Sequence, residues 1–448
     1  MAVTRKSICV GCTEVFDATL IYSRVLGLKA TRDINFKEVL KHELAPIPTA
    51  MFDDKGAMRI TKAKALMKQQ LKVETSARLL PTPEATVVDG SAILWVVHWP
   101  TKGTVQDYVN NVCSYVLEKA RFSDLYVVFD RYHDYSIKSG TRLARAGQFG
   151  SRRHKLALTT PLPPQKVALT VTENKVQLTE LICHQLVASS QEKTLNHKLV
   201  ITGKEPTPIE ICKAKKRELL DFRTTHEEAD VIIIQQVVKI TNMGAKSITV
   251  ICDDADVFVL LMYFFQTLGL SCVLTMESNG SNRTLIDIGA SAEKHKTIIP
   301  SLPGAHALTG CDTVAQCFGI GKATAIKVLY MGNCLQALGR TDSHIDNVIQ
   351  EATAFMAACY GSTKMNNMSD VRVNVWSTKT VRQKATAAPQ LKNLPPTTEA
   401  FELNVRRAHI QTAFWMSACE AEAPALDPTM YGWKSQECSK SLISFVVA

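Results

Sequence analysis

The chain lacks any apolar run long and uninterrupted enough to cross a membrane. The best candidate, Val257 to Met276 (VFVLLMYFFQTLGLSCVLTM), is broken by Gln266, Thr267, Gly269 and Ser271 and abuts Asp256. It reads as a buried helix followed by a strand, not as a span of about 20 apolar residues. The first twenty residues have no signal-peptide apolar region. Thirteen cysteines, scattered and odd in number, argue against a closed disulfide framework and for a reducing compartment. The single CVGC pair, Cys9 and Cys12, has no second ligand pair downstream, and structural zinc needs four ligands. No internal repeat is present. Nor is there a Walker A loop, because Gly321-Lys322 is followed by Ala323 and not by Ser or Thr. A dinucleotide fingerprint also fails, because Thr324 stands where its third glycine should be. These absences argue against a secreted disulfide scaffold, a membrane protein, a P-loop NTPase and a Rossmann dehydrogenase. A nuclear or cytoplasmic protein that is not secreted is expected.

What remains is globular in composition. Of 448 residues, 46% are hydrophobic and 21% charged. The net charge of +10 favours an anionic partner such as nucleic acid. From about residue 81, short apolar runs alternate with helical stretches. ATVVDG, DLYVVFD and KSITVICDD read as buried parallel strands. VQDYVNNVCSYVLEKA, TTHEEADVIIIQQVVKITN and ADVFVLLMYFFQTLG read as helices. The expected fold is α/β, an open and mostly parallel sheet with helices on both faces. VLTMESNGSNRTLIDI reads as a hairpin around Asn279-Gly280. Segment 1–80, with its basic helix ITKAKALMKQQLKVETSARLL, is an N-terminal extension. Segment 81–335 is the core, and 336–448 is a C-terminal helical and irregular extension. Within the last, 362–400 reads as a linker or irregular wrap and 397–420 as one helix.

Each of the three strands ends in an acid: Asp89, Asp130, and Asp253-Asp254. Ligands of open α/β sheets bind beyond the carboxyl ends of the strands. Asp256 follows in DDAD, Glu227, Glu228 and Asp230 open a helix in HEEAD, and Asp312 lies in LTGCDT. One carboxylate at a helix start is explained by capping and the helix dipole. Several on one rim repel one another, and burial worsens the repulsion. Divalent cations relieve it. Oxygen-only ligation without His or Cys suits Mg²⁺ or Mn²⁺, and two such ions can activate a water and stabilise a leaving phosphodiester oxygen. Either Glu227 or Glu228 can serve beside Asp230, and Asp253 can be a ligand or a supporting acid.

Two further features suit a polyanion. After Asp130, IKSGTRLARAGQFGSRRHK places Lys138, Arg142 and Arg145 at i, i+4, i+7, one helical stripe. Arg152, Arg153 and Lys155 extend the charge, and no acid lies between 138 and 155. In CFGIGKATAIKVL, a turn through Gly319 and Gly321 opens a helix at Lys322 and can present backbone N–H groups to a phosphate.

In order, VVDG, VFD, KSGTRLAR, EEAD, DDAD, TGCDT and FGIGKATAIKVL resemble the flap endonuclease/XPG-like nucleases of the PIN-like superfamily over roughly 81–335. The flanks resemble those of an animal group with a nuclease-like core. The resemblance implies a PIN-like fold and a helix–two-turn–helix element. It also implies a two-ion Mg²⁺ or Mn²⁺ centre held by Asp89, Asp130, Glu228, Asp230, Asp254, Asp256 and Asp312. Lys138 and Arg145 match the basic pair at the base of the family's helical arch. Gly319-Ile320-Gly321 matches its duplex-gripping turn, with Lys322 beside it. The implied activity is structure-selective cleavage of nucleic acid, DNA before RNA. The sequence departs from the pattern in Asp230, where the family has Glu, in the 88 residues before Asp89, and in 146–225, which do not match the arch. No sliding-clamp motif is recognisable.

Overall fold

The computed structural model describes residues 7–10, 13–16, 18–29, 31–61, 63–76, 78, 80–147, 152–192, 195–279, 284–362, 365–382, 390–436 and 441–444. Near the N-terminus, β1 (Ser7–Val10) and β2 (Thr13–Phe16) form a hairpin. Nine further strands make one sheet. In chain order they are β3 (Glu74–Thr75), β4 (Ala85–Asp89), β5 (Asp124–Val128), β6 (Leu199–Thr202), β7 (Ile209–Cys212), β8 (Lys215–Glu218), β9 (Ser247–Ile251), β10 (Val273–Glu277) and β11 (Leu285–Asp287). A last hairpin joins β12 (Trp433–Gln436) to β13 (Ser441–Ser444).

Across the sheet the order is β3-β11-β10-β9-β4-β5-β6-β7-β8. The five central strands run parallel, and the outer strands on both sides pair antiparallel. The expected α/β class and mostly parallel sheet are therefore present. Alternation along the strands feeds two cores. Val87, Tyr126, Val128 and Val250 face one layer, which includes helices Ala229–Asn242 and Ala255–Thr267. Val88, Leu125, Val127 and Ile251 face the other, with helices Val105–Lys119 and Thr172–Glu192. The hairpin expected near Asn279-Gly280 is β10–β11; Gly280 itself lies outside the described residues. Val257–Met276 divides, as expected, into a helix and β10, and no described helix is long and apolar enough to cross a membrane.

The chain lays down β4, β5 and β6 in one direction, then returns with β9 on the other side of β4. That reversal makes a topological switch point between β4 and β9, where the carboxyl ends of neighbouring strands open into a crevice.

The flanking segments join the same core. One apolar cluster runs from Tyr22 and Phe36 through Val87 and Phe258 to Phe401 and Ala418. The basic N-terminal stretch contains the α-helix Leu66–Leu71; β3 follows and closes one sheet edge. The reading of 362–400 as a linker is corrected, because Met368–Arg382 is a helix. Its Met368, Val371 and Val375 are buried on one stripe, and buried Arg372 lies 3.7 Å from Glu43. Its polar composition hides a narrow apolar face. The helix expected at the C-terminus is Thr398–Met416, which packs on Leu302–Leu308.

Candidate metal centre

Three strand ends supply the first carboxylates. Asp89 closes β4, and its Oδ1 accepts a hydrogen bond from Ala92 N at 3.0 Å, capping helix Gly90–Val96. Asp130 follows β5 and caps a different element: its Oδ1 accepts from Ala229 N at 2.9 Å. Asp254 follows β9, and its Oδ1 accepts from Asp256 N at 2.8 Å. Capping and clustering are not alternatives here, because the same carboxylates do both.

Asp89, Asp130, Asp230, Asp254 and Asp312, together with Lys138, line a crevice of about 280 Å³. Asp230, Asp254 and Asp256 each offer one oxygen, and these oxygens lie within 4.8 Å of one another. Glu228 and Asp256 are buried, at 8% and 1% exposure. Lys138 Nζ lies 2.9 Å from Glu228 Oε2 and 3.6 Å from Asp230 Oδ2. This fixes the register of HEEAD: Glu228 faces the lysine, whereas Glu227 turns aside to Arg142 at 2.7 Å. Asp253 stands apart. It accepts from Asn279 N at 2.9 Å and pairs with Lys68 at 3.7 Å.

The electrostatics show the cost of gathering these acids. Burial, then the charge of Asp130, pushes Asp89 up to about 7. Burial and the neighbouring Asp254 hold Asp230 well above the usual carboxylate range. Asp254 is raised by burial and by Asp256, and burial raises Glu228 against the pull of Lys138. Asp256 goes the other way. Burial pushes it up, but Lys64 and His306 outweigh that and hold it below the ordinary range.

Lys64 and His306 have no counterpart among the residues singled out by sequence. Lys64 Nζ sits 2.6 Å from Asp256 Oδ2 and 3.1 Å from Asp254 Oδ1. His306 Nε2 lies 2.6 Å from Asp256 Oδ1. Burial and the charge of Lys322 lower His306 to about 4, so it is neutral at pH 7 and donates through Nε2–H. Arg131 is a third. Its buried guanidinium donates to the carbonyls of Gly203, Glu205, Pro206, Thr224 and His226, and its N–H donates to Glu227 O. It ties the end of β5 to the loop before Ala229 and so sets Asp130 at the start of helix Ala229–Asn242. On the crevice wall stand the exposed indole of Trp95 and the ring of Tyr132, the latter between Arg142 and Lys175.

The basic candidates divide. Lys138 precedes helix Ser139–Gly147, Arg142 lies within it, and Thr141 Oγ1 donates to Asp312 O, joining that helix to the TGCDT loop. Arg145 is in the same helix, with its side chain outside the described residues. Arg152, Arg153 and Lys155 are exposed. The loop between helices Leu302–Leu308 and Lys322–Tyr330 carries Gly310 at φ 103° and Gly319 at φ 82°, left-handed conformations that favour glycine. Gly319 is exposed, and Phe318 beside it lies under Arg59 and Lys392. Lys322, expected at a phosphate, is corrected. It is fully buried, and its ammonium donates to the carbonyls of His306 and Gly310 and to Thr309 Oγ1. It braces the loop that presents Asp312. Cys9 lies in β1 and Cys12 outside the described residues.

One consequence is a pH dependence. With its folded value raised, Asp89 keeps a proton that the unfolded chain releases above its ordinary 3.8. Its contribution to metal-free stability therefore falls as pH rises from about 4 to about 7. D89N keeps an acceptor for Ala92 N and removes the charge. Urea midpoints in chelator should show the D89N advantage absent near pH 4 and complete above about pH 7. An advantage independent of pH would assign it to packing.

No family model matches the chain, and no curated protein matches it. Among solved structures it is similar to a bacteriophage T5 flap endonuclease in a pseudo-enzyme–product complex with DNA and metal ions. That likeness has 13% identity and a TM-score of 0.36 and covers 75% of this chain and 91% of the other. It is also similar to two complexes of the catalytic core of Rad2 with DNA substrate. One has 11% identity and covers 80% of this chain and 97% of the other; the second has 13% identity and covers 79% and 95%. Both have a TM-score of 0.38. What the crevice can do follows from its own side chains.

Proposed function

We propose that the chain is a metal-dependent, structure-selective nuclease that hydrolyses phosphodiester bonds at this crevice, with DNA favoured over RNA. The observation that carries the reading is the carboxylate cluster at the switch point, with three oxygens within 4.8 Å of one another. A binding scaffold has no use for acids whose burial and mutual repulsion raise Asp89, Asp230 and Asp254. The donor set fits a hard divalent cation. It is all carboxylate, with oxygens of Asp230, Asp254 and Asp256 close enough to share one ion. Lys64 and Lys138 offset only part of the charge of the seven acids, so we assign two ions, Mg²⁺ or Mn²⁺. Bound there, they would supply an activated water and neutralise charge on the leaving oxygen.

The protein's own groups do the rest. Asp89, Asp130, Glu228, Asp230, Asp254, Asp256 and Asp312 hold the ions directly or through water. Lys138 and Arg145 steer the scissile phosphate and offset charge as it develops. Arg142 is held against Glu227 and Tyr132 at the crevice mouth. Arg152, Arg153 and Lys155 follow the backbone of the nucleic acid, and the Trp95 face is available for stacking on a base. Gly319-Ile320-Gly321 grips a duplex arm with the helix that starts at Lys322.

Gly321 gives a clean test of that grip. Its φ is −118°, and an added Cβ would meet only Gln316 Nε2, at 3.8 Å. G321V should therefore fold normally, with an unchanged melting temperature, yet lose about tenfold or more in cleavage of substrates with a duplex arm while sparing short single strands. Equal loss on both would remove the turn from the interface. The reading as a whole is tested by a panel of flap, nicked, single-stranded and RNA substrates with Mg²⁺, Mn²⁺ and chelator. Metal-dependent cleavage of a junction substrate supports it. RNA cut in preference to DNA would make the protein a ribonuclease, and binding without cleavage a scaffold.

A further inference from the structure

Lys64 stands in the turn just before helix Leu66–Leu71, far in sequence from the acids it meets. Met67 and Leu71 are buried at 0% and 1% exposure and fix that helix to the body of the protein. Its ammonium lies 2.6 Å from Asp256 Oδ2 and is shared with Asp254, at 3.1 Å from Oδ1 and 3.4 Å from Oδ2. Asp254 and Asp256 are two of the three acids whose oxygens lie within 4.8 Å of one another. The contact to Asp256 Oδ2 is a close ion pair, and the link to Asp254 Oδ2 is a hydrogen bond. On its other side Asp256 is held by His306 at 2.6 Å. The carboxylate is thus held from both sides, by His306 and by the Lys64 ammonium. Lys138 makes a separate pairing, with Glu228 and Asp230.

An ammonium and a divalent ion compete for this pair of carboxylates. Both are drawn to the same oxygens, and like charges at contact distance in a poorly hydrated site repel strongly. The Lys64 side chain is 21% exposed, which leaves its tip a path to solvent while the helix behind it stays anchored. We propose that Lys64 is a resident counter-ion that a divalent cation must displace from Asp254 and Asp256, so that the N-terminal segment sets how much metal the centre requires. The proposal rests on the crevice being a metal site and adds a competitor to it.

The test is a titration of the full-length, metal-free chain with Mn²⁺, followed by calorimetry and by the electron paramagnetic resonance of free ion. Wild type, K64M, K64R and D254N are compared. K64M should bind Mn²⁺ at least tenfold more tightly than wild type. It should also melt lower in chelator and gain more in melting temperature on adding Mn²⁺. K64R keeps the charge and should stay close to wild type. Should K64M fail to fold, K64Q carries the same expectation. Unchanged or weaker Mn²⁺ binding by the neutral variants overturns the proposal and leaves Lys64 a structural ion pair. Should D254N also bind Mn²⁺ as wild type does, the metal centre itself is misplaced, and the proposed function falls with it.

Discussion

D254N should abolish metal-dependent cleavage, with a loss on the order of 10³-fold, at least that of removing one preorganised electrostatic contact. The substitution separates two roles that coincide in this residue. Asp254 caps helix Ala255–Thr267 by accepting from Asp256 N, and asparagine caps nearly as well. The helix and the buried core behind it should therefore survive, as checked by circular dichroism and melting. What is lost is a charge at the switch point, beside Asp230 and Asp256. Retention of near wild-type rates with unchanged Mg²⁺ dependence would reduce Asp254 to a cap.

Removing charge at two neighbouring acids should shift metal-free stability in opposite directions. Asp230 is raised by burial and by Asp254, so at neutral pH the folded chain bears a cost that D230N removes. The melting temperature in chelator should rise, and the gain should fade as pH falls toward the ordinary aspartate value near 3.8. Asp256 is held low by Lys64 and His306, so its charge is stabilising in the folded state. D256N leaves Lys64 with one carboxylate fewer in a buried site. Loss of one partner from such a pair costs about 3 kcal/mol, or roughly 3 °C for a chain of this length. That penalty should be full at neutral pH and should shrink progressively as pH falls below the ordinary aspartate value toward the lower folded value. Equal shifts of the same sign would mean that repulsion and pairing are not distributed as the geometry places them.

These residues also show what a linear reading can and cannot reach. The strand-terminal acids are legible because burial imposes apolar runs, so a carboxylate at the end of one stands out, and DDAD and HEEAD lie where strand and helix periodicities change. Lys64 is not legible in this way. It is 190 residues from Asp254, and nothing in KAKALMKQQL distinguishes a lysine facing solvent from one facing acids. His306 and Arg131 are hidden for a similar reason, since their partners are a distant carboxylate and backbone carbonyls that only the fold assembles. Lys322 misleads because Gly-Lys at a helix start suits a phosphate. The carbonyls of His306 and Gly310 claim its ammonium first. Helix Met368–Arg382 is missed because its buried face is only about three residues wide, Met368, Val371 and Val375, amid polar neighbours.

The central claim is that the carboxylates of the switch-point crevice hold divalent cations. Anomalous scattering from crystals equilibrated in saturating Mn²⁺ tests it directly. The account predicts strong peaks bonded to oxygens of Asp230 and Asp254, with Asp89, Asp130, Glu228, Asp256 and Asp312 around them and Lys64 swung away. A crevice without a peak at saturating Mn²⁺, with Lys64 still on Asp254 and Asp256 and Lys138 still on Glu228 and Asp230, would contradict it.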